Sequence, residues 1–437
     1  MSEIKIQETE VEEKARNRKV ATATIVGSML EWYDFYLYAT MASIVFGRVF
    51  FDSTDTQSAT LKAFATFAIG FLVRPIGGMF FGYFGDRYGR KRMLFVTFCL
   101  MGTCTALIGV IPSYQTIGIW GAVILVIIRI IQGLGAGAEL AGAAVTSYEH
   151  ASENRRGRQG AWPALGLNLG LLLSSGTIYV LTIHGDEFLL SGGWRIPFLL
   201  SFVLVFVGLW VRRKLPETPD FVELSQNKPQ HSTSFMHVFT HNFKGLLVVF
   251  FVAIGYNALS YIFKTFSLAY LVQYQHASAK VTSLSVTIAS FIAIFAVPTF
   301  GRLCDRWSSK AVLAIGGILS AVFAYPFMMF LQTGNNFSIY LALAIATGIL
   351  APMMFAPQGS FLSRQFPVET RSTGVGTGRE IGTAIAGGLA PMGALGLVAA
   401  SPTNSIAGVV AILVISAVIL VIAVLCDQGR HYSSFKN

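Results

Sequence analysis

The stretch "GYFGDRYGRKR", residues 82–92, is a short basic segment between two long apolar runs, and "GRLCDRWSSK", residues 301–310, repeats its pattern. Asp86 and Asp305 are 219 positions apart (305 − 86). Glu153 and Glu369, each followed two residues later by an arginine, are 216 positions apart (369 − 153). Two correspondences at nearly the same offset predict that the chain is a duplicated unit.

The composition indicates a protein that folds in a lipid bilayer. Hydrophobic residues make up 54% of the 437 positions, charged residues only 12%, and the mean hydropathy is +0.61. An average soluble domain has about 25% charged residues. The 43 glycines suit helices packed in lipid, because small residues let backbones approach closely. The sequence therefore predicts an all-α polytopic membrane protein.

The net charge is +10, but the sequence predicts neither a nucleic-acid partner nor a cofactor. Lys and Arg lie mainly in short polar segments between apolar runs, a pattern of membrane topology. None of the four cysteines forms a CxxC motif. His237 and His241 are spaced i, i+4, but without a third ligand a solvated linker surface is favoured over a metal site.

Twelve apolar runs are long enough to cross a bilayer, which takes about 20 residues. They are 20–47, 62–84, 93–112, 118–147, 159–183, 194–213, 245–272, 282–302, 310–332, 337–362, 373–399 and 405–426. The longest break between them is polar and predicts a linker between two halves of six helices. The predicted parts are a cytoplasmic tail (1–19), an N-terminal six-helix bundle (20–213), a cytoplasmic linker (214–244), a C-terminal six-helix bundle (245–426) and a second cytoplasmic tail (427–437).

The basic residues orient these helices. Of the 32 Lys and Arg residues, four fall on predicted outer segments and four within the spans, which leaves 24 for the cytoplasmic segments. The outer four are Arg48, Lys62, Arg195 and Lys280. The four within spans are Arg74, Arg129, Lys264 and Arg379. The asymmetry predicts that both termini are cytoplasmic.

The segment from Gly82 to Lys91 matches every fixed position of G-x-x-x-D-R-x-G-R-[KR], and in this it resembles the major facilitator superfamily. Within that superfamily, "EWYDFYLYA", "RPIGG", "RIIQGLGAGAELAGA", "RRGRQGAWP" and "GGWRIPFLLS" together resemble the metabolite:proton symporter family over residues 20–425. The resemblance implies twelve helices in two pseudo-symmetric halves. It also implies proton-coupled uptake of small polar metabolites, often carboxylates or betaines, across a bacterial cytoplasmic membrane.

Two other branches of the superfamily fit less well. Sugar porters resemble the chain at "LPETP" after the sixth run, but their P-E-[ST]-K-G after the twelfth run is absent. Drug/proton antiporters carry Gly-Pro-x-x-Gly-Gly in the fifth helix, where this chain has "GLNLGLLLSSG" at 166–176. An exporter is therefore disfavoured.

The first run, which includes "GSMLEWYDFYLYAT" at 27–40, contains two carboxylates. Glu31, Asp34 and Tyr38 are spaced i, i+3, i+7, so they share one helical stripe. At 1.5 Å per residue from Lys19, the two acids lie about 18–23 Å into a hydrocarbon core about 30 Å thick. Placing an ionisable side chain at this depth costs free energy, and such residues often mark proton pathways. We predict Asp34 as the proton-coupling group, with Glu31 either sharing that task or holding an arginine in a static ion pair.

Two arginines are predicted to face these acids. Arg129 lies at mid-depth in the fourth run and shares a stripe with Gln132 and Glu139. Arg74 lies about 18 Å from the cytoplasmic motif. A guanidinium binds a carboxylate in bidentate fashion, so either arginine is a candidate for an internal acid or for an anionic substrate. Glu139 is a further candidate for proton coupling.

The C-terminal half has its own candidates for substrate binding. Lys264 shares a helical stripe with Asn257 and Tyr261, and Arg379 stands next to Glu380 near the cytoplasmic end of the eleventh run. These charges depart from the family's commoner uncharged residues, which favours a role in substrate choice. The alternatives are snorkelling for Lys264 and a gate ion pair for Arg379 and Glu380.

The repeated loops predict a cytoplasmic gate. A helix N-terminus carries a partial positive charge, so Asp86 is expected to dock on the end of a neighbouring helix while the basic residues pair with acids. These contacts must break in the opposite state, as alternating access requires. The predicted gating residues are Gly82, Asp86, Arg87, Gly89, Arg90, Lys91, Asp305 and Arg306.

The function expected from the sequence is proton-coupled uptake of a small metabolite, with an organic carboxylate favoured over a zwitterion such as a betaine or an amino acid. An exporter and a non-transporting sensor are more remote alternatives. An enzyme is disfavoured because the seven histidines fall at span ends or in loops and form no catalytic constellation. The expected partners are the substrate, protons and the lipid bilayer, and the chain is expected to act as a monomer.

Overall fold

The computed structural model describes residues 10–51, 56–182, 186–213, 215–227, 236–277, 279–402 and 405–427. Residues 1–9 and 428–437 of the predicted tails, and residues 214 and 228–235 of the predicted linker, lie outside the described residues. Regular secondary structure within the described ranges is entirely helical, which confirms the predicted all-α class.

Six long helices form the N-terminal half. They are α1 (Glu10–Met41), α2 (Thr56–Tyr88), α3 (Arg90–Ile108), α4 (Trp120–Glu149), α5 (Trp162–Thr182) and α6 (Arg195–Arg213). α1 continues through a π-helical turn, Ala42–Phe46, into Gly47–Phe50. Shorter helical segments lie between the long ones, at Tyr114–Ile117, Glu153–Arg155, Arg156–Gly160, Asp186–Phe188 and Leu189–Gly193.

Six further long helices form the C-terminal half. They are α7 (Phe243–Tyr261), α8 (Ala279–Arg306), α9 (Ser309–Gln332), α10 (Asn336–Ile345), α11 (Arg371–Ala400) and α12 (Ala407–Leu425). α7 continues through the π turn Ile262–Phe266 into Ser267–Tyr274. α10 continues through the π turn Ala346–Leu350 into Ala351–Phe355 and Gln358–Ser363. Short helices in and after the linker are Pro219–Asn227, Met236–His241 and Val368–Thr370.

Ten helical segments of the described chain are long and apolar enough to cross a membrane. The two long helices outside this set are α1, which carries Glu31 and Asp34, and α5. α1 is helical from the first described residue, Glu10, so the described part of the segment predicted as an N-terminal tail is helical. Large apolar side chains cover the outside of the bundle; Phe295, for example, is 63% exposed and Val322 is 70% exposed. An apolar exterior of this kind suits contact with lipid.

The helix packing repeats in the two halves. α1 packs against α5 as α7 packs against α11, and α2 packs against α4 as α8 packs against α10. The halves meet where α2 contacts α11 and where α5 contacts α8. The π turns after α1 and α7 start 220 positions apart (262 − 42), close to the offset between the two loop aspartates. The duplication thus extends to an irregularity of the backbone.

Glycines let α2 and α4 cross with their backbones in contact. A Cβ added at Gly77 would lie 1.9 Å from the carbonyl oxygen of Leu134, and one added at Gly137 would lie 2.0 Å from that of Arg74. Small residues at membrane helix crossings permit this approach. The crossing fixes the position of Arg74 next to α4.

Gly137→Ala is expected to destabilise the protein by about 1–3 kcal/mol or more, because the new methyl group overlaps backbone atoms that cannot rotate away. Both helices belong to the N-terminal half, so no movement between the halves relieves the overlap. The measurement is the melting temperature and yield of purified protein. Gly393→Ala is the control, since an added Cβ there meets nothing within 4 Å. Equal melting of the two variants would contradict the close crossing.

Candidate functional site

Glu31 of α1 and Arg74 of α2 form a buried ion pair. Arg74 Nη2 lies 3.7 Å from Glu31 Oε1, and Glu31 is only 2% exposed. The Arg74 guanidinium also lies 4.9 Å from the ring centre of Phe71. Neither carboxylate oxygen of Glu31 has a hydrogen-bond partner among the described residues. Charge, rather than hydrogen bonding, therefore holds Glu31 in place.

Asp34 is bound by hydroxyl groups from two other helices. Thr105 Oγ1 of α3 donates to Asp34 Oδ2 at 2.7 Å, and Ser201 Oγ of α6 donates to Asp34 Oδ1 at 3.2 Å. A hydroxyl group can donate to a carboxylate and accept from a carboxylic acid. The surroundings of Asp34 therefore suit both of its protonation states.

Arg129 reaches Asp34 through a chain of hydrogen bonds instead of a direct contact. Arg129 Nη1 donates to Gln132 Oε1, and Gln132 Nε2 donates to Thr105 Oγ1 at 2.7 Å. The same Thr105 hydroxyl contacts Asp34. The Arg129 guanidinium lies 3.7 Å from the ring centre of Tyr38. The helical stripes predicted which residues face inward, but the link through Thr105 was not predicted.

These groups line one small cavity in the N-terminal half. Both carboxylates and both guanidinium groups border it. Its lining residues are Glu31, Asp34, Phe35, Gly70, Phe71, Arg74, Met101, Arg129, Gln132, Gly133 and Ala136. The structure therefore brings together the four charged residues that the sequence placed on α1, α2 and α4.

Glu139 forms a second buried ion pair, with Arg212 of α6. Arg212 Nη1 donates to Glu139 Oε2 at 3.0 Å, Arg212 Nη2 contacts Glu139 Oε1, and Thr97 Oγ1 donates to Oε2 at 3.2 Å. Arg212 is 3% exposed. The sequence counted Arg212 among the basic residues of the cytoplasmic segments, because a basic residue at the end of an apolar run has the pattern of a topology signal. It did not predict the pairing with Glu139.

In the C-terminal half, Arg379 and Glu380 form an ion pair with each other, and the two residues are 4% and 0% exposed. The pair lies against the N-terminal half, since a Cβ added at Gly78 of α2 would be 3.2 Å from Glu380 Cγ. Tyr261 also reaches across, with its ring centre 5.9 Å from that of Phe71. These residues thus lie where the two halves meet.

Asn257 and Lys264 do not share one face, contrary to the predicted stripe. Asn257 Nδ2 donates to Thr383 Oγ1 of α11 at 3.0 Å, whereas Lys264 lines a different cavity with residues that include Ser290 of α8. The physical reason is the π turn Ile262–Phe266, which adds a residue to the helical turn and rotates the rest of the helix by about 100°. A sequence pattern with a period of 3.6 contains no signal for this insertion.

Asp86 docks on the N-terminus of α11, as predicted from the charge of a helix end. Its carboxylate accepts from the Ser372 and Thr373 backbone N–H groups at 3.1 and 2.8 Å, and from Thr373 Oγ1 at 2.6 Å. Arg90 Nη2 lies 3.1 Å from Asp86 Oδ1. Gly82 permits the contact, since an added Cβ would be 2.9 Å from the carbonyl oxygen of Ser372.

A network of charges from both halves and the linker surrounds this contact. Arg90 Nε lies 3.3 Å from Glu149 Oε2, and Arg371 Nη1 lies 2.9 Å from both Glu149 Oε1 and Asp220 Oδ2. Asp220 is in the helix Pro219–Asn227, outside the membrane-spanning segments. Burial, together with the charge of Glu149, raises the pKa of Asp220 above its usual range. Sequence reasoning missed Asp220 because it treated 214–244 as a linker without a site.

The backbone of the loop is fixed by another linker residue. Glu217 Oε1 accepts from the backbone N–H groups of Arg90 and Lys91 at 3.0 and 3.2 Å. Gly89 has φ +104°, a conformation that favours glycine. Arg87 is exposed and donates to the Tyr83 hydroxyl at 3.3 Å, so it does not join the acidic network.

Asp305 makes the symmetry-related contact. Its Oδ1 accepts from the Gly157 backbone N–H at 2.7 Å, and its Oδ2 accepts from that of Arg158 at 3.2 Å. Arg306 is exposed. His237 and His241 stack with ring centres 4.1 Å apart, and no group of three or more possible metal ligands occurs among the described residues. The halves are therefore joined by two carboxylate contacts, at the ends that the sequence predicts to be cytoplasmic.

Known families match most of the chain. The family described as "Sugar (and other) transporter" matches residues 20–241, and the "Major Facilitator Superfamily" matches residues 259–433. The chain is 35% identical over 387 residues to the shikimate transporter of Escherichia coli (strain K12), a match that covers 88% of both proteins. It is 34% identical over 408 residues to the glycine betaine/proline/ectoine/pipecolic acid transporter OusA of Dickeya dadantii (strain 3937), covering 91% of this chain and 81% of the relative.

Among solved structures, the proton:xylose symporter XylE bound to 6-bromo-6-deoxy-D-glucose superposes with a TM-score of 0.76. The alignment has 16% identity and covers 94% of this chain and 95% of that chain. This likeness confirms the predicted arrangement of helices in two six-helix halves.

Proposed function

The chain belongs to the major facilitator superfamily, and we propose that it carries a small organic carboxylate into the cell together with protons. It is a multi-pass membrane transporter and not an enzyme, as its families and relatives show. The coupling ion, the direction of transport and the substrate class are the proposed parts.

The observation that carries proton coupling is the cavity lined by Glu31, Asp34, Arg74 and Arg129. Asp34 is proposed as the proton carrier because the hydroxyl groups in contact with it can donate to its carboxylate and accept from its carboxylic acid form. Glu31 is proposed to hold Arg74 and to take part in the transfer, since its oxygens lack hydrogen-bond donors among the described residues. Glu139, nearer the cytoplasmic end of α4, is proposed as the next acid on the way to the cytoplasm.

Two observations support a carboxylate as the substrate. The named relatives transport shikimate and betaine-type compounds, all of which carry a carboxylate. In addition, no described acid forms an ion pair with Lys264, so its charge is available for an anionic group. Arg379 and Glu380, which pair with each other, are proposed to close the interface between the halves. A zwitterion such as a betaine is the alternative.

The proposed location is the bacterial cytoplasmic membrane, with both termini in the cytoplasm and the chain acting as a monomer. The excess of Lys and Arg on one side of the predicted topology supports this orientation. The Asp86 and Asp305 contacts then lie on the cytoplasmic side, where they are proposed to form the gate.

The test is uptake of labelled carboxylates into proteoliposomes with an imposed pH gradient, acidic outside. A carboxylate that enters with one proton should accumulate about tenfold for each pH unit, because the gradient supplies about 1.4 kcal/mol per proton. Collapse of the gradient with a proton ionophore is the control. Uptake of a betaine but of no simple carboxylate would favour the zwitterion, and accumulation that ignores the gradient would contradict proton coupling. If the protein binds a substrate but does not exchange it across the membrane in a counterflow assay, the result would favour a sensor that does not transport.

A further inference from the structure

Arg129 is a buried guanidinium group with no direct acidic partner. It is 5% exposed, and no ion pair within the described residues includes it. Its Nε also has no hydrogen-bond partner there. Gly70 leaves room beside the group, since an added Cβ would be 3.0 Å from Arg129 Nη2. A buried cation of this kind needs negative charge that comes from further away or from a ligand.

The hydrogen bonds that lead from Arg129 to Asp34 all point the same way. A guanidinium group can only donate, so Arg129 fixes Gln132 Oε1 as an acceptor and turns Gln132 Nε2 toward α3. Thr105 Oγ1 accepts from Gln132 Nε2 at 2.7 Å, which leaves the Thr105 proton for Asp34 Oδ2, also 2.7 Å away. The charge of Arg129 is thus transmitted to Asp34 as an oriented hydrogen-bond donor.

Thr105 has a second acceptor for its proton. The Met101 carbonyl oxygen lies 3.0 Å from Thr105 Oγ1, so this hydroxyl group contacts two acceptors but carries one proton. An ionised Asp34 draws the proton, because a hydrogen bond to a charged group is about twice as strong as one between neutral groups. A protonated Asp34 donates to Thr105, whose own proton then turns to Met101. The position of this proton therefore depends on the charge of Asp34.

Several titratable or charged side chains face Asp34. They are Glu31 and Tyr33 of α1, Arg74 of α2, Cys104 of α3 and Arg129 of α4. α5 has no charged residue, and α6 offers the Ser201 hydroxyl group. Within the part of the chain that the structure describes, hydrogen bonds connect only Arg129 of these groups to Asp34. This connection distinguishes Arg129 from charges that act on Asp34 through space.

We propose that Gln132 and Thr105 are positioning residues for proton coupling. An anion that takes the Arg129 guanidinium releases Gln132 Oε1, so the amide turns and accepts the Thr105 proton. Asp34 then loses its donor from α3, and its carboxylate takes up one proton from the solution. By reciprocity, a protonated Asp34 strengthens binding of the anion. This inference rests on the proposed function and gives it a mechanism by which substrate and proton bind together.

The test is an infrared titration of the purified full-length protein, which needs no substrate. The C=O stretch of protonated carboxyl groups is followed against pH, and the Asp34 band is the one that Asp34→Asn removes. Thr105→Val should raise the pH of half-protonation of Asp34 by about one to two units, because a lost hydrogen bond to the ionised form changes proton affinity about 10- to 100-fold. Thr105→Ser, which keeps the hydroxyl group, should restore the profile. Absence of a titrating Asp34 band would overturn the inference.

The relay itself is tested by removing the charge of Arg129 in different backgrounds. Arg129→Met should raise the pH of half-protonation of Asp34, and Gln132→Met should do so by itself. In Thr105→Val the effect of Arg129→Met should fall to less than half, because the path to Asp34 is already broken. Ser201→Ala is the matched control, since it removes the other donor to Asp34 and leaves the path from Arg129 intact.

Equal effects of Arg129→Met in Thr105→Val and in Ser201→Ala would show that the charge acts through space, and this would overturn the relay. Uptake driven by the pH gradient in the unaltered protein would still support the proposed function in that case. Conversely, a smaller effect in Thr105→Val combined with uptake that ignores the gradient would support the relay and contradict proton coupling.

Discussion

Replacement of Asp34 by asparagine is expected to abolish accumulation driven by a pH gradient while substrate exchange continues. Asparagine has nearly the same shape and can still bind the Thr105 and Ser201 hydroxyl groups, but it carries no titratable proton. The accumulation ratio in proteoliposomes should therefore fall from about tenfold per pH unit to about one. Counterflow of labelled substrate, which needs no gradient, should persist in the same preparation.

Glu31→Gln is the matched comparison, since it makes the same chemical change on the same face of α1. Neutralising Glu31 leaves Arg74 as a buried charge without its partner, a change that costs more than protonating Asp34 between two hydroxyl groups. We expect Glu31→Gln to slow uptake while accumulation stays above one. Loss of accumulation in Glu31→Gln combined with its retention in Asp34→Asn would move the coupling role to Glu31.

Local patterns in the sequence were sufficient for the fold and for much of the candidate site. Apolar runs of bilayer length predict helices, and a spacing of three, four or seven residues places Glu31, Asp34 and Tyr38 on one face. The docking of Asp86 was predictable because a carboxylate and a helix N-terminus attract each other wherever they meet. The first two inferences need only the pattern within one helix, and the third needs only the partial charge at a helix end.

The other contacts of the site depend on which helices become neighbours. Local sequence patterns do not show which distant helices pack together. Arg212 pairs with Glu139, 73 positions away, although its position at the end of a span was interpreted only as a signal of membrane topology. Asp220 joins Arg371, 151 positions away. Asn257 binds Thr383 of α11, whereas Lys264 lines a cavity with residues of α8, because a π turn begins between them. In each case tertiary packing or one inserted residue overrides the local pattern.

The contacts that join the halves at the proposed cytoplasmic side also depend on glycines. A Cβ added at Gly359, in the last segment after α10, would lie 2.1 Å from the carbonyl oxygen of Gly160 in the other half. The two carboxylate contacts, at Asp86 and Asp305, hold the same faces together. This overlap differs from the one at Gly137, because separation of the halves relieves it completely.

Gly359→Ala is therefore expected to shift the protein toward a state that is open to the cytoplasm, without unfolding it. Overpacking costs about 1–3 kcal/mol, which corresponds to a shift of about 5- to 150-fold between two states. The native Cys304 can report the shift, since it is 5% exposed and packs against Gly157 of the other half. Cys99→Ser and Cys426→Ser remove the more accessible thiols.

In that background, a maleimide applied from the cytoplasmic side should label Cys304 at least about fivefold faster in Gly359→Ala than in the parent protein. Gly396→Ala is the control, because an added Cβ there meets nothing within 4 Å. A melting temperature close to that of the parent would separate a shift between states from unfolding. Faster labelling together with slower uptake would mean that the closed contact is needed in the transport cycle. Equal labelling of Gly359→Ala and Gly396→Ala would show that the halves do not separate at this crossing, and the gate would then have to open elsewhere.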